Sequence, residues 1–325
     1  MANFWKGKNV LVTGGTGFIG SYVSEQLLKK GSVVSVTTHS KNLENIKHLR
    51  SGVKVIKADL TTLEDSIKAT KGQEIVLNLA AKVAGVQYKI DHPATMFLGN
   101  FEIAKNILEA SLKNKVERVL ITSSPTIYSK EAEIPTKEED GFLGEPDHVN
   151  RGYGWGKRAS EILARFYFEE YGLKVAITRP YNTYGSRDHF DPAISHVIPG
   201  IIYRVFHGEN PLVVWGSGKQ TRAFIYAEDF ARGLIEVTEK YAVADPINIG
   251  TDEEISIGDL AKLIVDISGK KVKIHFDTSK PDGILRSNCD TSKAKKKLGF
   301  VSKISLREGL EKTIAWYKKN QKSLS

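Results

Sequence analysis

Three glycines, Gly14, Gly17 and Gly20, follow the apolar run Asn9–Thr13 and open a helical pattern, and they constrain this chain more than any other feature. Glycines at this spacing, between a strand and a helix, fit a tight strand-to-helix turn. The first permits the turn, the second lets backbone approach a pyrophosphate, and the third lets the helix pack closely. The helix start offers free N–H groups and a positive dipole end to an anion. Gly14, Thr16, Gly17, Phe18, Ile19 and Gly20 are therefore predicted to hold a dinucleotide.

The strand–helix alternation continues. Residues 33–37, 53–57, 74–80, 118–123 and 174–178 are short β-branched or apolar runs, and helical spacing appears over 21–30, 97–113 and 156–171. Nearly all-apolar strands separated by helices predict a parallel sheet covered on both faces. Right-handed crossovers make it a doubly wound α/β sheet of the Rossmann kind. Pro180 is expected to halt the strand at 174–178, after which Gly, Pro and aromatics dominate up to Arg222. Short strands at 223–226 and 247–249 are expected to return to the main sheet. The predicted division is a cofactor-binding domain of residues 1–179 and 223–250, with a smaller mixed α/β substrate domain of 180–222 and 251–325.

Composition narrows the chemistry. With 325 residues the chain can bury a large core without a staple. Its one cysteine, Cys289, excludes an internal disulfide and any cysteine-based metal site, and suits a reducing compartment. The net charge of +9 favours acidic partners. Much of that excess sits in Lys293, Lys295, Lys296 and Lys297, which read as exposed helix faces. No apolar stretch approaches the ~18 residues of a membrane span. The first strand starts too early to leave room for a signal peptide. The expectation is a cytoplasmic protein with no metal, no membrane and no nucleic-acid partner.

The end of the second strand lacks the carboxylate that would bind the ribose 2′-OH of NAD. Thr38, His39 and Ser40 stand there instead, followed by Lys41, and suit a 2′-phosphate, so NADP(H) is favoured over NAD(H). Tyr153 and Lys157, four residues apart, share one helix face. A nearby ammonium stabilises phenolate and is expected to lower the tyrosine pKa towards neutrality. Tyr153 can then exchange a proton with a carbonyl or carbinol, and Lys157 can also hold a ribose. Ser124 ends a strand, where a hydroxyl faces the ligand crevice of such sheets. A lone Tyr-x-x-x-Lys is a chance event in a lysine-rich chain; the three signals in this order are not.

With these residues the chain resembles the extended short-chain dehydrogenase/reductases, which act on nucleotide sugars. Ala58-Asp59-Leu60, Asn78-Leu79-Ala80-Ala81 and Arg179-Pro180-Tyr181-Asn182-Thr183-Tyr184-Gly185 agree, so the resemblance covers essentially the whole chain. Within that family it is most similar to the GDP-L-fucose synthases, on the strength of five stretches: residues 80–85, Asn182 to Gly185, Ser195 to Pro199, Val214 to Gly218 with Arg222, and Lys280 to Gly283 with Arg286. The resemblance implies hydride transfer at C4 of the sugar, handled by Ser124, Tyr153 and Lys157. It places Asp59, Leu60, Ala80, Ala81, Lys82 and Tyr181 beside the cofactor. Val83, Asn182, Val197 and Arg286 would hold the nucleotide sugar, and Arg204, Trp215 and Arg222 its diphosphate, for which planar guanidinium groups are well suited. His196 would be the acid that protonates a ring carbon. A homodimer through the helix at 97–113 and the Tyr153 helix is also implied.

Two departures bear on the reaction. The synthases carry a cysteine base two residues after the serine, where this chain has Thr126. A thiol reaches a useful thiolate fraction and a threonine hydroxyl without an adjacent base does not, which argues against 3,5-epimerisation. The basic residue expected after Arg286 is Ser287. Pro125 and Thr126 also replace the Asp-Glu pair of 4,6-dehydratases, which argues against dehydration. The leading expectation is a reductase or dehydrogenase acting at C4 of an NDP-hexose or NDP-heptose, with GDP the favoured carrier. A 4-epimerase that retains NAD stays open, as does a non-catalytic cofactor-sensing or RNA-binding relative. The intact Ser–Tyr–Lys set and the lack of an aromatic-and-basic array weigh against the last.

Overall fold

The computed structural model describes residues 3–39, 42–192 and 195–321. Six strands alternate with helices in the first part: β1 (Asn9–Thr13), α1 (Phe18–Lys29), β2 (Val33–Thr38), β3 (Val53–Lys57), α2 (Leu63–Thr70), β4 (Ile75–Asn78), α3 (Val86–Asp91), α4 (Pro93–Lys113), β5 (Arg118–Thr122), α5 (Arg151–Tyr171) and β6 (Lys174–Pro180). The remainder holds β7 (Thr183–Tyr184), α6 (Val197–Phe206), β8 (Leu212–Trp215), β9 (Thr221–Ala223), β10 (Ile225–Tyr226), α7 (Ala227–Lys240), β11 (Pro246–Ile249), β12 (Glu254–Ser256), α8 (Ile257–Ser268), β13 (Ile274–Asp277), β14 (Arg286–Ser287), α9 (Ser292–Leu298) and α10 (Leu306–Asn320).

The main sheet has seven strands in the order β11-β6-β5-β4-β1-β2-β3, all parallel. Its central strands are buried on both faces, which is why their sequences are nearly continuous apolar runs. One apolar layer joins the sheet to α1 and α7, and a second joins it to α2, α4 and α5. A third core, around Ile202, Leu212, Leu260 and Leu310, belongs to the smaller half.

β6 ends at Pro180 as expected but runs two residues past Thr178, and Pro180 still pairs with Ile249 of β11. One expectation changes. Residues 223–226 do not rejoin the main sheet, whereas 247–249 do. β10 pairs with β7, and β9 joins β12 and β14 in a three-stranded sheet. The place beside β6 is already taken by β11, so residues 223–226 form the seam between the two halves.

Candidate active site

The dinucleotide turn has the geometry its sequence requires. Gly14 sits at φ +63, in the left-handed region that favours glycine. A Cβ on Gly20 would overlap the carbonyl oxygen of Gly14 and come within 2.6 Å of the Gly15 Cα. Its absence lets α1 close against the turn itself rather than against the sheet. Gly15, which the glycine spacing did not single out, is equally constrained: a Cβ there would lie 2.6 Å from the Val36 Cβ. α1 begins at Phe18, Ile19 and Gly20 with no side-chain cap and no acidic residue in its first turn. Its first N–H groups thus meet no capping side chain or carboxylate that would repel an anion.

Thr13 braces the turn from below. Its hydroxyl donates to Asn78 Oδ1 (2.6 Å) and accepts from the backbone N–H groups of Leu79 and Ala80 at 3.0 Å each. Gly14 N–H donates to Thr37 Oγ1 (3.1 Å). Beside this turn lies a cavity of about 740 Å³ that Gly14, Thr16, Gly17, Thr38, His39, Asp59, Leu60, Ala80, Ala81 and Lys82 all line. Val83, expected on the sugar, lines it too. Ser40 lies outside the described residues. Asn100 clamps the Lys82 backbone, accepting from its N–H at 3.2 Å and donating to its carbonyl at 3.0 Å; no sequence signal marks it. The glycine-shaped turn, the uncapped helix start and the size of this cavity fit the adenosine and pyrophosphate half of a nicotinamide dinucleotide.

Ser124, Tyr153 and Lys157 meet at the carboxyl ends of the strands. α5 starts at Arg151, five residues before the predicted start at 156, so Tyr153 lies in its first turn. Gly154 has no side chain to hold α5 away from the 124–126 turn: a Cβ there would lie 2.7 Å from the Thr126 carbonyl. Tyr153 lies beside Ser124, which acts to lower its pKa. Ser124 Oγ accepts from Thr126 Oγ1 at 2.9 Å and from Thr126 N–H at 3.2 Å. Lys157 Nζ donates to the Thr122 carbonyl (2.9 Å) and stands 5.6 Å from the Tyr153 ring centroid.

The electrostatics differ from the expectation of a near-neutral tyrosine. Burial pushes the Tyr153 hydroxyl up to about 12, with the neighbouring Ser124 pulling the other way. Burial pushes the Lys157 ammonium down to about 8, opposed by the negative charge of Glu161. In a desolvated pair both charged forms are disfavoured. Tyr153 is therefore a phenol at neutral pH, ready to donate a proton.

Beyond Ser124 two cavities share a wall. One, of about 440 Å³, is lined by Phe18, Pro125, Tyr181, Asn182, His196, Val197 and Arg222. The other, of about 430 Å³, is lined by His196, Val197, Arg204, Trp215 and Arg222. The Tyr181 hydroxyl is engaged by Thr136, which leaves its ring to the cavity. Asn182 Nδ2 donates to the Ala223 carbonyl at 3.0 Å. Arg204 donates to the Val213 carbonyl (2.7 Å) and to Glu209 (3.2 Å). Arg222 donates to the carbonyl of Thr221 at 2.7 Å, and burial lowers its pKa. A half-buried guanidinium of that kind gains from an anion.

Arg286 departs from the set. It lines neither cavity; Glu254 takes its guanidinium at 2.9 to 3.1 Å, and the Ile134 carbonyl at 3.2 Å. The ion pair across the three-stranded sheet competes with any diphosphate for this charge. A residue absent from the sequence reading is Lys89 on α3, half-buried, with Nζ 3.2 Å from Asn150 Oδ1 and its pKa lowered by burial.

A family profile described as "NAD dependent epimerase/dehydratase family" matches residues 10–250. The chain is 32% identical over 324 residues to a probable GDP-L-fucose synthase 1 of Oryza sativa subsp. japonica, covering 97% of this chain and 93% of that protein. It is 31% identical to a dTDP-4-dehydro-6-deoxy-D-allose reductase of Streptomyces sp, covering 98% of each. Among solved structures, UDP-glucose 4-epimerase of Thermotoga maritima with UDP-glucose superposes with a TM-score of 0.85 at 29% identity, covering 96% of this chain and 99% of that one.

Proposed function

Because the chain belongs to the NAD-dependent epimerase/dehydratase family and is an NAD(P)-dependent nucleotide-sugar enzyme, we propose that it transfers hydride at C4 of an NDP-sugar, with a GDP-linked 4-keto sugar reduced by NADPH. The observation that carries this reading is the phenol of Tyr153 beside Ser124, with Thr126 rather than a thiol next to them. A bound nicotinamide supplies or accepts the hydride. Tyr153 gives its proton to O4 of the sugar, and Ser124 orients that oxygen. Lys157, held by the Thr122 carbonyl, binds a ribose hydroxyl, and its ammonium stabilises the phenolate left on Tyr153 until solvent returns the proton. His196, Val197 and Asn182 face the sugar, while Arg204, Arg222 and Trp215 take the nucleotide diphosphate. Val83 and Arg286 stand at the margin of this ligand, Arg286 only after release from Glu254.

In this reading residues 1–179 and 223–250 carry the cofactor, and residues 180–222 with 251–325 carry the nucleotide sugar. α7 and β11 support that split, since they pack on α1 and β6. The exposed Leu98 on α4 and the exposed Ile162 and Phe166 on α5 favour pairing of two copies through these helices.

The cofactor reading is tested by denaturing the purified protein and identifying what it releases. An empty protein that then binds NADPH is the expected result. Stoichiometric NAD would overturn it in favour of a 4-epimerase. The preference itself rests on His39 and Thr38 lining the first cavity where other dinucleotide sites have a carboxylate. His39→Asp should weaken NADPH binding at least about tenfold and leave NADH binding within a few fold, because a carboxylate repels the 2′-phosphate and accepts from a 2′-OH. Equal losses for both cofactors would remove His39 from the argument.

A further inference from the structure

Asp188 lies in the loop between β7 and α6, and its carboxylate is buried. Oδ1 accepts from the His189 N–H at 2.8 Å. Oδ2 is buried without a hydrogen-bond partner and lies 3.6 Å from Nδ1 of His196. A buried carboxylate oxygen is costly unless something positive faces it, and the group facing this one is the imidazole. His196 itself lines both substrate-side cavities.

The loop is fixed from the other side. Arg187 adopts φ +70, a conformation that costs a non-glycine residue energy and persists only when surrounding contacts hold it. Those contacts come from α1: Arg187 donates to Glu25 at 2.7 Å and Ser21 at 3.2 Å, and lies 4.4 Å from the Tyr22 ring centroid. The Tyr22 hydroxyl donates to the Ser186 carbonyl at 3.1 Å. The helix that opens at the dinucleotide turn therefore anchors the segment that carries Asp188.

We propose that Asp188 is a positioning residue: its buried Oδ2 faces the Nδ1 edge of His196 and orients the imidazole, so that Nε2–H donates to the sugar end of the nucleotide-sugar ligand. The assignment of that ligand rests on the proposed function; the Asp188–His196 pair does not. Asp188, 3.6 Å away, raises the His196 pKa, whereas desolvation and Lys89 of α3 lower it; Arg204, Arg222 and Asp282 are the other charged groups lining the cavity that His196 shares. The carboxylate has the larger influence.

The pair is tested by NMR titration of histidine-labelled protein, with the His196 signal assigned by its loss in His196→Gln. In the unaltered chain His196 should titrate above the ordinary value of about 6.5. In Asp188→Asn, close to isosteric, the midpoint should fall by at least about half a unit, roughly threefold in proton affinity. A midpoint at or below the ordinary value in the unaltered chain overturns the proposal even if the variant fails to fold. An unmoved midpoint in a folded variant overturns it as well. Affinity for a GDP-hexose should fall as pH rises through the His196 midpoint, and this dependence should shift with the midpoint in Asp188→Asn. A midpoint that moves while affinity ignores pH overturns the donor role. Failure to bind GDP-, UDP- or dTDP-hexoses at any pH would instead count against the proposed function, and the titration would still read the pair.

Discussion

Tyr153→Phe is expected to lower turnover at least about a hundredfold while the affinities for dinucleotide and nucleotide sugar stay within a few fold. Proton transfer by a positioned side chain contributes about 10²–10⁴ in rate. The substitution removes one hydroxyl and keeps the ring, so the packing of Gly154 on the Thr126 turn and the Lys157–Thr122 hydrogen bond persist. Ser124 keeps its bond from Thr126. The loss should fall on kcat, since the phenol acts on the oxygen that changes charge in the transition state. Steady-state kinetics with a 4-keto NDP-sugar and separate binding titrations measure both quantities. Unchanged turnover would remove Tyr153 from the chemistry; a matching collapse of binding would make it a structural residue.

Glu161→Gln is expected to destabilise the fold by about 3–5 kcal/mol, the usual cost of breaking a buried ion pair by removing one partner. Glu161 and Arg179 are both fully buried, and Arg179 donates to the two carboxylate oxygens at 3.0 and 2.7 Å. The same guanidinium donates to the Glu138 carbonyl at 2.6 Å and the Tyr128 hydroxyl at 3.1 Å. Neutralising Glu161 leaves a buried positive charge on β6, beside the strand that carries Thr122. Denaturant unfolding followed by two probes measures the effect, and a loss below about 1 kcal/mol would refute this account. Replacing both partners, as Glu161→Leu with Arg179→Met, should recover part of the loss because the orphaned guanidinium goes too, while Lys157 and Arg158 still lose the Glu161 charge.

The sheet and the dinucleotide turn were legible in the sequence because they depend on near neighbours. The order of apolar runs and helical spacings marks the parallel strands, and Gly14 and Gly20 mark a turn that side chains would obstruct. The residues expected around the first cavity gathered there for the same reason: most directly follow β1, β2, β3 or β4. Ser124, Tyr153 and Lys157 were recognisable as types at a spacing, and the structure brings them together.

Charge states and long-range pairings were not legible. Tyr153 and Lys157 look in sequence like a mutually activating pair, yet burial moves each towards its neutral form. Arg286 looks like an anion ligand until Glu254, 32 residues away in the chain, takes its guanidinium. Asn100, Lys89 and Asp188 carry no local motif: Lys89 meets Asn150 61 residues away, Asn100 meets Lys82 18 away, and Asp188 meets His196 only through the way their shared loop folds. Residues 223–226 read as strand, but their partner was decided by competition for the free edge of β6. The sequence by itself determined the alternating strands and helices and the glycine turn, because steric and hydrophobic preferences act over a few residues. The tertiary structure decided which charges are paired and which groups are desolvated, because Coulomb and desolvation energies depend on separations and burial that exist only once remote segments have packed.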